Sequence, residues 1–286
     1  MPELPEVETA RRGIAEQFVG RRVVGYELTR TFLIVAAPGL SLDGLVGATL
    51  ESVYRHGKYL LLTFDPFSLV VHLKLAGQLV ARGGGIPGFA AGHPVPAYDA
   101  DLPHKSTHLR LDFAGDAVLY LTDIRHFARV WLLPHDAVPD YFARLKLGPD
   151  VLDPVFTVDV LRARLATRTV GRLKPTLLDQ SVIAGLGNIY VDESLWQAGL
   201  HPELTAASLS PAELTGLYDG IMRTMAHALP IGGARILNGK AQPEHGEFPF
   251  VHGREGQPCP RCGTPIIKTH VNHRGTYTCP HCQPAP

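Results

Sequence analysis

The sequence predicts an α+β protein with three parts: an N-terminal β-sandwich with one helix, a helical domain, and a four-cysteine zinc finger. Three observations predict this class. Residues 22–134 contain strand-like apolar runs divided by turns, the pattern becomes helical after about residue 135, and four cysteines lie close to the C-terminus. The chain has 286 residues, enough for two domains that each bury a core.

The N-terminal segment 5–19 has the helical period. Its apolar residues are Val7, Ala10, Ile14 and Phe18, and Gly20 follows as a stop signal. Turn residues then separate six apolar runs that read as strands. These predicted strands are 22–28, 57–64, 68–75, 107–113, 117–123 and 129–134. Residues 83–103 contain five glycines and four prolines, which predicts a mobile loop.

The second half is predicted to be helical over 157–166, 175–180, 189–198 and 211–229. The last helix has the clearest start, with Ser210 as N-cap, Pro211 at the first position and Glu213 at the third, while Pro230 blocks its extension. We therefore expect a domain over residues 1–135, a linker over 136–150, a helical domain over 151–238 and a zinc-binding segment over 239–286.

Composition excludes several classes of protein. Hydrophobic residues make up 45% of the chain and charged residues 19%, which excludes a disordered chain, and no apolar run approaches the ~18 residues of a membrane span. The first residues lack the apolar core of a secretory signal, so we expect a bacterial-type cytoplasmic protein. Lysine plus arginine (27) equals aspartate plus glutamate (27), which is not the basic balance of a typical nucleic-acid binder.

One basic segment departs from this neutral balance. Residues 162–174 contain five basic residues and no acidic one. Two interpretations are open: a solvated helix face, or a local phosphate-binding surface whose attraction decays over a Debye length of ~8–10 Å.

The four cysteines Cys259, Cys262, Cys279 and Cys282 form the pattern C-x2-C-x16-C-x2-C. This spacing is typical of structural zinc sites, in which four thiolates leave no open position for a catalytic water. Two disulfides are the alternative, but no secretory signal indicates an oxidising compartment. Between the cysteine pairs, residues 268–277 are predicted to form a hairpin with Arg274 near its turn, suited to phosphate contact.

Pro2 and the two carboxylates that follow it form a candidate catalytic group. An N-terminal amine has an ordinary pKa of about 7.7–8.0, so roughly 10–20% of it is neutral and nucleophilic at pH 7, unlike a lysine. Such an amine can attack a sugar C1′ and form a Schiff base. Glu3 and Glu6 lie one helical turn apart and can assist proton transfer, or they can simply complement the dipole of the first helix.

Four separated blocks of the chain resemble the family of formamidopyrimidine-DNA glycosylase and endonuclease VIII. They are MPELPEVETARRGI (1–14), GKYLLL (57–62), LLDQSVIAGLGNIYVDESLWQAGLHP (177–202) and the tail from Val251 onward. The resemblance covers nearly the full length and is greater to the formamidopyrimidine branch. It implies a β-sandwich, a helix-two-turn-helix domain over 151–238, and a segment over 239–286 that holds a lesion-covering loop and the zinc finger.

The resemblance implies a monomeric bifunctional enzyme of base excision repair, acting on double-stranded DNA that contains oxidised purines or abasic sites, with one structural zinc. It implies that Pro2 is the Schiff-base nucleophile, Glu3 the acid that assists base loss, and Lys58 a proton donor in strand elimination. The full implied catalytic set is Pro2, Glu3, Glu6, Lys58 and Arg274. The implied DNA-binding set is His72, Leu75, His108, Arg125, Phe127, Lys174, Asn188 and Arg274.

The glycine turn 185–187 before Asn188 also suits phosphate binding, because it exposes backbone N–H groups at a helix N-terminus; Asn188 could equally be a helix N-cap. Leu75, Arg125 and Phe127 match the side chains that fill the gap left by a flipped nucleotide, although strand packing is an alternative for Leu75 and Phe127.

Several positions depart from the family pattern. Leu75 stands where the family has methionine, Lys74 where it has glycine, and residues 123–127 read DIRHF where it has DPRRF. Ser106 replaces one of two histidines, leaving His108, and the loop 232–240 lacks the usual threonines. These departures leave the substrate range open, with an oxidised-pyrimidine glycosylase as the alternative. Two further hypotheses are a non-catalytic binder of damaged DNA and an N-terminal-proline tautomerase, which would explain Pro2 but neither the zinc tail nor the glycine turn.

Overall fold

The computed structural model describes residues 1–242 and 248–286, which form two units, Met1–Leu145 and Lys146–Pro286. The predicted linker 136–150 contains a helix, Val138–Leu145, at the end of the first unit. The predicted lesion-covering segment after residue 239 falls partly on 243–247, outside the described residues. The domain limits predicted within the second unit stay predictions.

The first unit consists of an N-terminal helix, two five-stranded sheets and the short helix α2 (Val138–Leu145). Its elements before α2 are α1 (Leu4–Phe18), β1 (Val23–Leu28), β2 (Ile34–Ala36), β3 (Leu50–His56), β4 (Tyr59–Phe64), β5 (Phe67–His72), β6 (Gly77–Gly83), β7 (Phe89–Gly92), β8 (Thr107–Phe113), β9 (Ala117–Asp123) and β10 (Arg129–Pro134). One sheet has the order β1-β8-β9-β6-β7 and the other β2-β10-β5-β4-β3. All pairs are antiparallel except β2 with β10.

All six predicted strands are present, as β1, β4, β5, β8, β9 and β10. The predicted loop 83–103 is wrong in one part, because Phe89–Gly92 forms β7 and pairs with β6. Because this segment is rich in glycine and proline, its sequence did not indicate a strand. Packing explains it: the Phe89 ring lies over Gly13 of α1, where an added Cβ would come within 2.4 Å of the ring.

The core of the first unit joins α1 to the inner faces of both sheets. Val7, Ala10, Ile14 and Phe18, the stripe that predicted α1, are all buried in this core. Phe18 meets Phe113 of β8 edge to face, with 4.8 Å between the ring centroids. The α1 stripe therefore fixes where the first turn of the helix, with its carboxylates, lies against the sandwich.

The second unit contains four helices and two short hairpins among its described residues. They are α3 (Val158–Ala166), α4 (Leu173–Leu178), α5 (Asn188–Ala198), α6 (Pro211–Ala228), β11 (Ile236–Leu237), β12 (Lys240–Ala241), β13 (Ile267–Val271) and β14 (Arg274–Thr278). The predicted start of α6 is confirmed: Ser210 Oγ accepts from Glu213 N at 3.3 Å, and Ser210 N donates back to Glu213 Oε2 at 2.8 Å.

The altered loop at 232–240 leads into the hairpin of β11 and β12. Its turn is Asn238-Gly239, with positive φ at both residues, which is typical of two-residue hairpin turns. Within the described ranges, no helix is both long and apolar enough to cross a membrane.

Candidate nucleic-acid interface and zinc centre

The four cysteine thiols of the second unit form one cluster. The Sγ atoms of Cys259, Cys262, Cys279 and Cys282 all lie within 4.8 Å of one another. Four sulfurs at this mutual distance fit the tetrahedral shell of zinc, whose Zn–S bonds are about 2.3 Å long. The cluster fits zinc as the spacing predicted, and the disulfide alternative is wrong because all four cysteines are free thiols.

The predicted hairpin between the cysteine pairs is present as β13 and β14. Asn272 and His273 form its turn, both with positive φ, and Arg274 follows as an exposed side chain. A cation at the tip of a hairpin anchored by the thiol cluster is free to meet a phosphate. The predicted position of Arg274 at the turn is confirmed.

Lys174 is fully buried, which the sequence did not predict. Its side chain has no exposed surface, and Nζ donates to Asp192 Oδ1 at 2.7 Å, to the Gly275 carbonyl at 2.9 Å and to Thr276 Oγ1 at 2.9 Å. A fully buried ammonium cannot reach a DNA phosphate while it keeps these bonds. We therefore correct the phosphate contact predicted for Lys174. Its buried ammonium group instead bonds helix α5 and the zinc hairpin.

Helix α5 binds the zinc segment through two further buried carboxylate contacts. Asp192 Oδ2 lies 2.8 Å from His252 Nδ1, and Glu193 accepts three backbone N–H groups of residues 250–252 at 2.8–2.9 Å. Burial raises the pKa of Glu193, while these N–H groups act in the opposite direction. Asp192 and Glu193 of α5 thus hold both the hairpin and the turn segment 250–252 before the cysteines.

The basic segment 162–174 is not a free cationic surface, because each of its five basic residues has a partner. Arg162 pairs with Asp159, Arg168 with Asp179 and Arg172 with Glu203, while Arg164 donates to the carbonyls of Ser181 and Val182 and Lys174 pairs with Asp192. Every acidic partner lies outside the segment in the sequence. These partners argue against the interpretation of segment 162–174 as a phosphate-binding surface.

Asn188 lies at the first position of α5, and Gly187, not Asn188, is the N-cap. Asn188 Nδ2 donates to the Gly275 carbonyl at 2.9 Å, the same oxygen that Lys174 bonds. Two predicted phosphate contacts, Asn188 and Arg274, are therefore neighbours, with Gly275 between them. The start of α5 therefore lies beside the hairpin tip.

In the first unit, the candidate catalytic residues lie at the start of α1. Pro2, Glu3 and Glu6 are buried, and Glu3 N donates to Glu6 Oε2 at 2.9 Å as in a capping box. Glu6 thus caps the start of α1 in addition to lying in its first turn, and this contact also fixes the backbone next to Pro2. A structural and a chemical role are compatible here.

Lys58 is buried at the turn between β3 and β4, directly after Gly57, whose φ of +56° favours glycine. Arg55 holds this turn, because its Nη1 donates to the Gly57 carbonyl at 2.8 Å. Arg55 Nε in turn donates to Glu8 Oε2 of α1 at 3.0 Å. The Glu8–Arg55 pair therefore ties the first helix to the turn that carries Lys58.

Glu8 also accepts hydrogen bonds from Arg11 and Arg12, so three guanidinium groups surround it. Burial alone would raise the pKa of Glu8, but the bonds from Arg11, Arg55 and Arg12 outweigh burial and lower it to about 2.

Because folding lowers the pKa of Glu8, its ionised carboxylate stabilises the fold at pH values above the ordinary pKa of 4.5. This stabilisation is lost as the pH falls towards about 2. Compared with Glu8→Gln, we expect the wild type to be more stable at neutral pH by about 3 kcal/mol, from about 1.4 kcal/mol per pKa unit. Urea unfolding of both proteins at several pH values measures this difference. A difference that stays constant down to pH ~2 would contradict the assignment.

His72 ends β5 beside two cations. Burial, together with Lys74 and Lys58, lowers the pKa of His72 to about 3, so the ring is neutral at pH 7. The Lys74 backbone N donates to His72 Nδ1 at 2.9 Å, which leaves the ring proton on Nε2. His72 can thus donate one hydrogen bond from Nε2, the requirement for contact with a phosphate oxygen.

Leu75 and Phe127, the two apolar gap-filling candidates, are exposed to 38% and 50%. The strand-packing alternative is therefore wrong for both. Lys74, in the position of the family's glycine, keeps a positive φ of 52°, so the turn before Leu75 retains the glycine-type conformation. A lysine in this conformation costs roughly 1–2 kcal/mol relative to glycine.

Asp123 shapes the loop that carries Arg125 and Phe127. Its Oδ1 accepts from Arg125 N at 2.8 Å, and its Oδ2 accepts from Phe127 N and Ala128 N at 2.8 and 2.7 Å. Both Arg125 and Phe127 are exposed, as insertion into DNA requires. His108, in contrast, is buried, and its Nε2 lies 2.7 Å from the Asp123 carbonyl. The His108 ring therefore supports this loop from the protein interior.

His93, just after β7, is a candidate that the sequence analysis missed. Burial first, then the positive N-terminus and Arg125, lower the pKa of His93 to about 4. Gln78 fixes its backbone, because Gln78 Nε2 donates to the His93 carbonyl at 2.8 Å. The glycine- and proline-rich surroundings gave no signal; only the fold brings this neutral histidine within the field of the N-terminus.

Three family models match the chain in succession. The formamidopyrimidine-DNA glycosylase N-terminal domain matches residues 1–130, its H2TH domain residues 147–238, and the zinc finger found in FPG and IleRS residues 256–285. Together they account for both units and for the cysteine cluster.

Curated relatives match over almost the whole length. Formamidopyrimidine-DNA glycosylases of Pelotomaculum thermopropionicum and Enterococcus faecalis are 37% and 38% identical, over 99% of this chain and 99% and 97% of their own. A solved Lactococcus lactis FPG bound to Fapy-dG-containing DNA has a TM-score of 0.84 at 35% identity, covering 99% of this chain and 100% of that one. MutM in complex with carbocyclic 8-oxo-G-containing DNA has the same TM-score at 34% identity and the same coverage.

The fold and these matches define a DNA-binding glycosylase of base excision repair with one structural zinc. The chain belongs to the formamidopyrimidine-DNA glycosylase family, whose members combine glycosylase and abasic-site lyase activities.

Proposed function

We propose that this protein excises oxidised purines, including 8-oxoguanine and formamidopyrimidines, and then cleaves the strand through a Schiff base on Pro2. The observation that carries the proposal is the first turn of α1, where the buried carboxylates Glu3 and Glu6 follow directly on Pro2. Solved relatives hold DNA with Fapy-dG and with a carbocyclic 8-oxo-G, which supports this class of substrate.

The nucleophile in this proposal is the secondary amine that Pro2 acquires when Met1, 41% exposed, is removed. Its lone pair attacks C1′ of the damaged nucleoside, and the glycosidic bond breaks with its electrons passing to the base, which takes up a proton. The amine nitrogen then loses its proton, and the C1′–O4′ bond breaks as O4′ takes up a proton, which opens the sugar and leaves an iminium at C1′. The iminium makes a C2′ proton acidic, and loss of that proton expels the 3′ phosphate. Glu3 serves proton transfer at the sugar, and Lys58 serves it in the elimination.

The other proposed roles concern DNA binding. His72, Asn188 and Arg274 donate to phosphates, and Arg274 also belongs to the catalytic set because it holds the phosphates next to the reacting nucleotide. Leu75, Arg125 and Phe127 fill the space left when the nucleotide is turned out of the duplex, supported by the buried His108. The exposed side chains at 75, 125 and 127 and the Nε2 donor of His72 support these roles.

Covalent trapping tests the nucleophile. With borohydride and abasic DNA, we expect the wild type to form an adduct that peptide mapping locates on Pro2, and we expect N-terminal acetylation to abolish it. Pro2→Gly, which offers a primary amine, should trap less and excise 8-oxoguanine more slowly. An adduct located on a lysine, or one that survives acetylation, would overturn the assignment, and no adduct at all would favour a non-catalytic binder.

Substrate choice requires its own comparison, because oxidised pyrimidines are the alternative. Single-turnover excision from duplexes with 8-oxoguanine, a formamidopyrimidine or thymine glycol should be fastest for the purine lesions. Faster release of thymine glycol would indicate an enzyme of endonuclease VIII type.

We also propose a monomer that acts on DNA in a bacterial cytoplasm. The DNA-bound state of its solved relatives and the bacterial sources of its curated relatives support this location. Light scattering of the protein with and without duplex DNA would test the monomer.

A further inference from the structure

Phe32 is an exposed aromatic ring that the proposed chemistry does not use. It lies in the short turn Thr31–Leu33 between β1 and β2 and is 45% exposed. The Arg129 guanidinium lies over this ring, 5.6 Å from its centroid. An exposed ring paired with a cation is the arrangement with which proteins bind unpaired bases.

Two histidine rings extend this surface. His126 is 6.1 Å from Phe32 and meets it edge to face, while the His108 ring is 4.7 Å from that of His126. We name Phe32, His108, His126 and Arg129 the Phe32 platform. His126 stands in the DIRHF segment where the family has arginine, so this ring contact is a consequence of this chain's own sequence.

The position of the platform follows from His126. That residue lies between Arg125 and Phe127 in the loop that Asp123 holds, with a positive φ of 61°. Phe32 is therefore beside the loop proposed to enter the gap in the duplex.

The charges around the platform favour nucleic acid. Arg30 and Arg125 are exposed close to it in the sequence. Burial and then the charge of Arg129 lower the pKa of Lys74, so Lys74 adds a second cation that interacts with Arg129. The carboxylate of Asp123 is buried and occupied by three backbone N–H groups, so it does not offset these cations at the surface.

The His108 ring forms the buried part of the platform. His108 Nε2 lies 2.7 Å from the Asp123 carbonyl and must donate to it, so Nδ1 carries a lone pair in the neutral ring. In the part of the chain that the structure describes, this buried Nδ1 has no hydrogen-bond partner. Because this nitrogen is buried, the contact with a base rests on the exposed rings of Phe32 and His126.

We propose that the Phe32 platform stacks on the base that loses its partner when the damaged nucleotide leaves the duplex, and so helps to select the opposite base. The proposal rests on the proposed function, because it takes Arg125 and Phe127 to occupy the vacated position. The orphaned base then remains in the stack next to that loop, with an unpaired edge and an accessible face.

The contact is tested by a thermodynamic cycle in which the Phe32 ring and the opposite base are removed separately and together. Two duplexes carry the same tetrahydrofuran abasic analogue, opposite either 2-aminopurine or a second tetrahydrofuran that has no base. We expect Phe32→Leu to weaken binding about 10-fold on the first duplex, within the range measured for base–aromatic stacking, and to leave binding unchanged on the second. The 2-aminopurine fluorescence should be quenched more by the wild type than by Phe32→Leu.

Tyr54→Leu is the matched control, because Tyr54 is a 63% exposed ring on β3 that the proposal does not use; it should bind both duplexes like the wild type. Equal losses with Phe32→Leu on the two duplexes, or no loss on either, would overturn the proposal. These DNAs cannot react, so the result is independent of borohydride trapping, and the two proposals can fail separately.

Discussion

Replacing Lys174 by methionine should destabilise the second unit by about 3–5 kcal/mol, the usual cost of breaking a buried ion pair on one side. Methionine nearly fills the volume but leaves Asp192 buried without its ammonium, and it removes the bonds to Gly275 and Thr276. Chemical unfolding of the zinc-loaded protein measures the loss. Arg172→Met is the matched control, since Arg172 and Glu203 form an exposed pair worth about 0–1 kcal/mol.

The same variant should also weaken DNA binding, through Arg274. Lys174 and Asn188 both hold the Gly275 carbonyl, so without Lys174 the hairpin tip loses one of its two anchors. A phosphate contact contributes about 0.9 to the slope of log affinity against log salt concentration. We expect Arg274→Ala to reduce the slope by about this amount, Lys174→Met by no more, and the double variant by no more than Arg274→Ala alone.

The double variant separates the two interpretations of Lys174. If Lys174 bound a phosphate itself, the two reductions would add to about twice the single value. Such additivity would restore the sequence-based interpretation and reject the positioning role. A variant with unchanged stability would contradict the buried ion pair itself.

Removal of zinc should have the largest effect of all. Structural zinc sites contribute roughly 10–16 kcal/mol of apparent binding free energy, and Cys259 and Cys279 belong to a small core that also contains Trp196 and Tyr277. We expect a chelator to remove one zinc per chain, to expose the segment after residue 248 to proteases, and to abolish tight DNA binding. Zinc added back should restore both properties.

The first unit provides the internal control for this experiment. Its core consists only of its own helix and strands, so its protease resistance should persist after chelation. An intact tail and unchanged DNA affinity in the zinc-free protein would contradict the structural role of the metal.

Local patterns in the sequence were sufficient for most of the fold. The stripe of α1, the six apolar strands and the start of α6 each depend on neighbours within a few residues, so periodicity and capping predicted them. The strands β2, β3, β6 and β7 were not predicted. The strand β7 is stabilised by pairing with β6 and by the Phe89 ring on Gly13, and neither contact is evident in a glycine- and proline-rich sequence.

Charge partners were the part of the candidate site that the sequence could not predict. Lys174 bonds Thr276, 102 residues away, and the acidic partners of the basic segment 162–174 all lie outside it. A run of cations therefore looked like a phosphate surface until the fold supplied its counter-ions. Likewise, His93 gained its lowered pKa from burial, the N-terminus and Arg125, groups that only the folded first unit brings together.

The sequence by itself determined the zinc ligands, helix α1, the six apolar strands and the start of α6, because spacing along the chain is sufficient for each. Only the tertiary structure decided which candidate DNA-binding residues are exposed and which are buried as supports. Lys174 and His108 became supports, whereas Arg274 and Phe127 remained exposed. The physical reason is that burial and ion pairing depend on residues distant in sequence, and they decide whether a charge or ring is available to a ligand.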